Sequence, residues 1–415
     1  MMQDSIKPKA VTIIGMGEEG CLGLTSRAVN VVAKAQVLVG TERYLVFFSQ
    51  FEGKKIIIKG KLSGILDEIY QLSAENNVVV LASGDPFFYG IGSLIVKKIG
   101  INFVDIIPHP GSIQTAFSRI GIKWNDAKVI SLHGRPLAGF MTKIQNYNKI
   151  GLFTDSQSTP KVIAQYMLSY QETGWEAYVC EYLGGTEEKV KKFSIIELAE
   201  AEDIADLNVL ILIRDTTSFT PSATIRFMHE DEFSKRMPRK GLITKKEIRL
   251  LVLGYMNLRS DSIVWDIGAA SGSVAIEAAK LCPEGFVYAI ETDQESVEIC
   301  KENLITHKVD NVNVIHGKAP DALEGISSPD TVFVGGSKGN MCAIIDKSLE
   351  SLSLGGRLVI TAITLETVQE TYQHFKKIGK KAEVIMVNIS RAVPLAKYHR
   401  YDALSPIHIF CVTKD

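Results

Sequence analysis

The densest chemical signal in this chain is an acid that closes an apolar run and is followed at once by spaced glycines: Val264-Trp265-Asp266-Ile267-Gly268-Ala269-Ala270-Ser271-Gly272-Ser273. The run predicts a strand, and Gly268 and Gly272 predict a turn that permits positive φ and close approach of backbone to a ligand. The Ala-rich stretch running to Lys280 predicts a helix whose first N–H groups are free to meet that ligand. Open α/β sheets bind ligands at this edge. The spacing D-x-G-x-x-x-G differs from the G-x-G-x-x-G that cradles a pyrophosphate. A carboxylate at the head of the loop suits a cationic or amino-bearing ligand better than a phosphate. The next apolar run, 286–291, ends on Glu291, placed to accept hydrogen bonds from ribose hydroxyls. Asp266, Gly268, Gly272 and Glu291 together fit S-adenosylmethionine.

The first half carries a different set. Val11-Thr12-Ile13-Ile14-Gly15-Met16-Gly17 is a strand entering a small glycine turn, weak evidence when taken alone. Leu81-Ala82-Ser83-Gly84-Asp85-Pro86 is stronger, because Pro86 holds the preceding backbone extended and ends the strand. Such a loop can offer carbonyls and amides to an adenosine group. His109-Pro110-Gly111-Ser112-Ile113-Gln114-Thr115 and Ser131-Leu132-His133-Gly134-Arg135-Pro136 follow, then Glu181-Tyr182-Leu183-Gly184-Gly185. His109 and His133 each sit at a strand end, where a hydrogen-bonded structural histidine is commoner than a ligand, and no third ligand has metal-site spacing. No metal is expected. The six cysteines form no C-x-x-C pair, which argues against a zinc ribbon or disulfide framework. They read as small buried hydrophobes. No Ser/His/Asp or Cys/His spacing marks a catalytic nucleophile.

Elements able to position these loops recur along the whole chain. Short β-branched runs alternate with helical patterns, the sequence form of βαβ units and a mostly parallel sheet. Expected strands are 11–14, 35–39, 55–58, 78–82, 103–107, 129–131, 150–153, 176–181 and 209–213 in the first series. In the second they are 262–267, 286–291, 312–316, 331–334, 357–361, 382–388 and 407–413. A chain of 415 residues with 46% hydrophobic and 22% charged residues suits two α/β domains of roughly 200 residues. They are expected at 1–213 and 237–415, joined by a linker at 214–236 that lacks periodicity. The net charge of −1 hides no basic half, so nucleic acid is not an expected partner. The polar N-terminus has no signal core and no apolar run spans a bilayer, so no membrane partner and a cytoplasmic location are expected.

Set in order, the second-half motifs resemble class I methyltransferases with a Rossmann-like fold. More narrowly they resemble the C15-methylating, decarboxylating enzymes of cobalamin biosynthesis, through residues 237–249, Gly317-Lys318-Ala319-Pro320 and Gly335-Gly336-Ser337. The first-half motifs resemble the two-lobed tetrapyrrole methylases (class III methyltransferases), most closely the C5-methylating members. One departure is Glu18-Glu19-Gly20, where that family usually has Pro after the first glycines. The fusion is similar to the precorrin-6Y C5,15-methyltransferase (decarboxylating) family. That resemblance implies methylation of a corrin precursor at C5 and C15 with loss of CO2 from the C12 acetate, and S-adenosylmethionine as cofactor. It implies cofactor contacts at Gly84, Asp85, Thr115, Leu183 and Leu210 in the first domain, and at Gly241, Thr244, Gly317 and Ala319 in the second. It also implies a homo-oligomer. A substrate rich in carboxylates would want local cations. Arg239, in the group 236–249, and Arg391, beside Lys397, His399 and Arg400, are the candidates, although Lys245, Lys246 and Arg249 read equally well as a solvated helix face. Gly336 leaves room for a large flat substrate. No residue is singled out for the chemical step. The alternative is an RNA methyltransferase with an accessory N-terminal domain; Val334-Gly335-Gly336-Ser337 stands where base-methylating enzymes carry a clamp such as N-P-P-Y.

Overall fold

The computed structural model describes residues 11–60, 62–215, 227–236 and 243–415. The chain divides into two compact units. The first contains Met1–Pro136, Tyr147–Tyr166 and Thr173–Phe219; the second contains Thr220–Asp415 and takes in Leu137–Asn146 and Met167–Glu172.

Two five-stranded sheets build the first unit. The N-terminal sheet holds β1 (Val11–Met16), β2 (Val37–Gly40), β3 (Lys54–Ile57), β4 (Val78–Ser83) and β5 (Val104–Ile107), in the order β3-β2-β4-β1-β5. All its pairs are parallel. Its inner strands read as continuous apolar runs because both faces are covered. Val11, Ile13, Val78 and Val80 enter one core, while Ile14, Met16, Val79 and Leu81 enter the other. The second sheet holds β6 (Lys128–Ser131), β7 (Lys149–Phe153), β8 (Trp175–Glu181), β9 (Lys189–Ser194) and β10 (Asn208–Arg214), in the order β6-β7-β10-β8-β9. Here only β6–β7 is parallel, and the other three pairs are antiparallel. This corrects the expectation of a mostly parallel sheet. Apolar periodicity reports which face is buried and carries no sign for strand direction.

The second unit has a seven-stranded sheet. Its strands are β11 (Ile263–Ile267), β12 (Phe286–Glu291), β13 (Val312–His316), β14 (Thr331–Val334), β15 (Arg357–Ala362), β16 (Glu383–Val387) and β19 (Ile407–Thr413). The order is β13-β12-β11-β14-β15-β19-β16, with β19 antiparallel to both neighbours. Alternation sends Val264, Val287, Phe333 and Val359 into one core and Trp265, Ile267, Val332 and Leu358 into the other. Between β16 and β19 a hairpin of β17 (Ser390–Leu395) and β18 (Tyr398–Ala403) stands apart from the sheet. Strand order reverses at β11/β14, which opens a crevice beyond their carboxyl ends.

Three strands, β9, β17 and β18, were not expected. Each is largely or wholly exposed, so no apolar alternation marks it. Met228 and Phe233, in the stretch read as a linker, are buried in the core of the second unit. Residues 216–226 and 237–242, with Arg239 and Gly241 among them, lie outside the described residues.

Candidate functional site

A cavity of about 680 Å³ lies in the second unit, where the strand order reverses. The strand-end loops supply its floor. Gly268 has φ +78°, and a Cβ there would lie 2.7 Å from Gly336 N and 2.8 Å from Gly336 O, so the loops after β11 and β14 touch backbone to backbone. Gly272 has φ +75°, and its Cβ would meet Cys300 Sγ at 2.4 Å. Both glycines are therefore required by geometry, although Gly272 supports the loop and does not line the cavity. Gly268→Ala is expected to destabilise the second unit by about 1–3 kcal/mol, the usual range for forced backbone strain. Denaturant unfolding followed at the Trp265 core will check this; an unchanged midpoint would show that the two loops can separate.

Asp266 is the least ordinary group in the site. It is 1% exposed, and neither carboxylate oxygen has a hydrogen-bonding partner in the protein. Burial pushes its carboxyl up to about 7; the Ala275 N–H, near but outside hydrogen-bonding geometry, pulls the other way, and the Glu291 charge adds to the rise. A buried unpaired carboxylate is costly to folding and is kept where a ligand supplies the partner.

Glu291 is held differently. Its Oε2 accepts from Ala270 N at 2.9 Å, while Oε1 accepts from Thr292 N at 2.7 Å and Asp293 N at 3.0 Å. These amides fix its orientation at the end of β12, with Glu291 lining the cavity. Thr244, Gly317, Ala319 and Gly336 also line it. Asp266, Gly268 and Glu291 thus meet in space with residues from three further loops.

Cations gather at the same cavity. Lys245, Lys318 and Lys338 line it. Arg236 does too, but it is bound to Asp293 at 3.2 Å and Glu295 at 2.7 Å. The cavity is therefore bipolar, with acids at the strand ends and lysines on the surrounding loops. Sequence reasoning placed Lys318 only within the segment Gly317–Ala319, not among the substrate cations, and passed over Lys338. Their signal was position, since each follows a strand end by two to four residues.

Arg391 departs from the expectation that it meets substrate. Its guanidinium is clamped by Glu230, at 2.9 and 3.0 Å, and by Glu247 at 2.9 Å, and it does not line the cavity. The same clamp holds the Glu230 carboxyl down to about 2, Arg391 being the main cause and the Lys246 N–H helping. Arg249 also departs from the solvated-face reading. It is fully buried and bound to Glu277, at 2.9 and 3.0 Å, and to Thr244 O at 2.6 Å.

In the first unit, three loops abut at the end of β1. Gly84 N donates to Met16 O at 2.8 Å, and a Cβ on Gly15 would lie 2.1 Å from Gly84 O and 2.6 Å from His109 N. Gly84 has φ +53° and faces Gly111, whose carbonyl accepts from Thr115 Oγ1 at 3.2 Å. Gly84 and Thr115 are thereby brought together. Glu19 reaches His109 Nε2 at 2.8 Å, and its Oε2 would lie 2.4 Å from a Cβ on Gly184, beside Leu183. The departure Glu18-Glu19-Gly20 thus puts a carboxylate at this junction. Asp85 turns back on its own loop, accepting from Phe87 N at 2.8 Å. Leu210 does not join the site as a side chain. It is fully buried in the middle of β10, between β7 and β8.

His133 Nδ1 lies 3.4 Å from Thr154 O. Among the described residues no group of three or more His, Cys, Asp or Glu could hold a metal, and no helix is long and apolar enough to cross a membrane. Burial pushes the thiols of Cys180, Cys282 and Cys300 up to about 12, as packing residues require.

Known proteins supply a comparison. Residues 10–199 match the family model for tetrapyrrole (corrin/porphyrin) methylases, and residues 236–414 match that of a precorrin methyltransferase domain. A precorrin-6Y C(5,15)-methyltransferase [decarboxylating] from Sinorhizobium sp is 30% identical over 97% of this chain and 96% of its own length. A probable cobalt-precorrin-6B C(15)-methyltransferase (decarboxylating) from Sulfurisphaera tokodaii is 38% identical over 40% of this chain and 88% of its own. A cobalt-precorrin-7 C(5)-methyltransferase from Salmonella typhimurium is 33% identical over 38% of this chain and 78% of its own. With a relative 30% identical over 97% of the chain, and the two family models matching successive parts of it, the chain belongs to the family of decarboxylating precorrin-6Y C(5,15)-methyltransferases.

Proposed function

We propose that the chain methylates a corrin precursor of the precorrin-6Y/6B type at C5 in the first unit and at C15 in the second. Loss of CO2 from the C12 acetate accompanies the second step, and S-adenosylmethionine is the donor at both. The observation that carries this reading is the buried, unpartnered Asp266 carboxylate facing a 680 Å³ cavity.

The residues present fit the donor. Asp266 would hold its ammonium group, Glu291 its ribose hydroxyls, and Gly268 would let backbone come close. When bound, the sulfonium supplies an electrophilic methyl group. The chain's own part is to orient, to exclude water and to neutralise charge. Lys245, Lys318 and Lys338 meet carboxylate arms of the substrate, and Gly336 leaves space for the ring. Ile243, Val387, Ile389 and Ile407 give the cavity an apolar wall that would keep water from the reacting carbon. A carboxylate pressed against such a wall loses hydration, which favours its departure as uncharged CO2; the electron pair of the broken C–C bond passes into the conjugated ring, and a proton from solvent completes the methyl group left on C12. Arg239 stays a candidate for the substrate side. Gly84, Thr115 and Leu183 surround the donor in the first unit. We place the reaction in the cytoplasm, where the six free cysteines stay reduced, and expect a homo-oligomer.

The test is incubation of the full chain with the reduced corrin precursor and donor labelled in its methyl group. Mass spectrometry should show two methyl gains and one loss of CO2. A single gain, or none, would overturn the two-site reading.

A further inference from the structure

The loop that begins at Gly84 ends in a display of aromatic rings that nothing above has used. Gly92 N donates to Pro86 O at 2.8 Å, and a Cβ on Gly90 or Gly92 would lie 2.5 or 2.7 Å from that same oxygen. Residues 86–92 therefore close tightly on the Pro86 carbonyl, and the side chains at the tip are turned outward. Phe87, Phe88 and Tyr89 are 46%, 45% and 54% exposed. Tyr89 sits at φ +57°, a left-handed conformation that a bulky residue rarely adopts.

The rings are ordered against the second sheet of the same unit. Phe88 and Tyr89 pack edge to face, with centroids 5.0 Å apart, and Phe153 at the end of β7 lies 6.1 Å from Phe88 and 5.5 Å from Tyr89. The Arg135 guanidinium stands 5.8 Å from the Tyr89 ring centre. Its loop is fixed by Leu132 N to Phe153 O at 2.9 Å and by Gly134 N to Asp155 Oδ2 at 2.7 Å. Arg135 is exposed, and no carboxylate pairs with it among the described residues.

We propose that Phe88, Tyr89 and Phe153, whose ring planes stand 57–74° apart, form an aromatic platform in the first unit that offers one ring face flanked by ring edges to the macrocycle, with Arg135, over the Tyr89 ring, pairing one of its carboxylate arms. This rests on the functional reading above and adds the acceptor side of the first site. Aromatic faces stack on any planar π-system, and a cation at their rim selects an anionic one. The platform starts four residues beyond Gly84, so it adjoins the glycine junction assigned to the donor. Backbone strain in a non-glycine residue concentrates at ligand contacts, and Tyr89 carries it at the centre of the patch. A second copy of the chain would account for exposed rings. It would not account for the unpaired cation at their edge or for continuity with the Gly84 loop.

The experiment uses the full chain with Phe88→Ala/Tyr89→Ala, Tyr89→Phe and Arg135→Gln. Each methyl gain is followed separately by mass spectrometry as substrate is varied. The double variant should raise KM for the C5 step about tenfold or more, the scale of losing one stacked ring. Donor affinity and the C15 step should be unchanged. Tyr89→Phe keeps the ring and should raise the C5 KM less than the double variant does, and Arg135→Gln should raise the C5 KM several-fold. An unchanged C5 KM in the double variant overturns the platform. So does a joint loss of C5 turnover and donor binding, or an altered oligomeric state with normal C5 kinetics. Should the double variant misfold, Arg135→Gln decides by the same readout, since it removes no core packing. The C15 gain reports separately on the functional reading, because its absence in the unaltered protein counts against that reading and not against the platform.

Discussion

Asp266→Asn is expected to weaken donor binding in the second unit about 100-fold, near 2.7 kcal/mol at 1.36 kcal/mol per decade, while leaving the protein as stable as before or more so. The two effects have one cause. Asp266 is buried with both oxygens unpartnered, and its carboxyl is pushed up to about 7 against an ordinary value of 3.8. In the free protein this carboxylate is a liability. The unfolded chain ionises near 4 and the folded one near 7, so stability from this site falls as pH rises across that interval. The neutral amide removes the liability. A bound ammonium group would instead stabilise the ionised form, and a charge-assisted hydrogen bond in a dry site contributes about 1.5–3 kcal/mol. Donor affinity should therefore decline as pH falls below about 7, tenfold per unit at the limit, and binding near pH 6 should release a proton. Calorimetry in buffers of different ionisation enthalpy measures that release directly. Binding that is independent of pH between 5.5 and 8 would remove Asp266 from the donor site. The variant should keep the C5 methyl gain, since that step is assigned to the other unit.

Arg249→Met is expected to destabilise the second unit by roughly 3–5 kcal/mol, the range for stranding one partner of a buried ion pair. Arg249 has no exposure, and Glu277 has 2%. The guanidinium binds both Glu277 oxygens, Thr244 O and Met228 O, and it stands 5.1 Å from the Phe233 ring centre. Glu277 also accepts from Met228 N at 3.0 Å. One side chain thus ties the helices Lys246–Met256 and Ser273–Leu281 to the irregular segment at Met228 and to Thr244 on the cavity wall. With Met in its place, Glu277 keeps a single amide partner in an apolar core. Arg249→Met combined with Glu277→Leu should recover most of the loss, because the stranded charge has gone. Donor affinity should stay depressed in the double variant, since Thr244 is no longer held. A double-mutant cycle by urea unfolding, with donor calorimetry on each corner, separates the two contributions. Near-additive stability effects would show that the pair is not coupled.

Much of the site was legible because sequence neighbours made it. Asp266, Gly268 and Gly272 belong to one strand-turn-helix passage, and β11, β12, β14 and β19 lie where their apolar runs placed them. A strand end followed by a glycine turn is a local instruction, and the crevice at that edge follows from how parallel sheets are wound. Thr244, Gly317, Ala319 and Gly336 came through the family resemblance, and the cavity gathers all four.

Tertiary structure alone decided what each charge does. Arg249 and Arg391 share their residue type with any surface base, yet one is sealed in a core and the other is clamped by two carboxylates that lie 144 and 161 residues away in sequence. The turn of the sheet alone sets Lys318 and Lys338, from two separate loops, around one cavity. Strand direction in the second sheet and the exposed strands β9, β17 and β18 were equally silent, since burial periodicity encodes neither. The sequence determined the elements, the glycine turns and the acid at the strand end, because those depend on a few adjacent residues. Which cations pair, which stay free and which rings meet depend on contacts across more than a hundred residues, and the folded chain alone sets them.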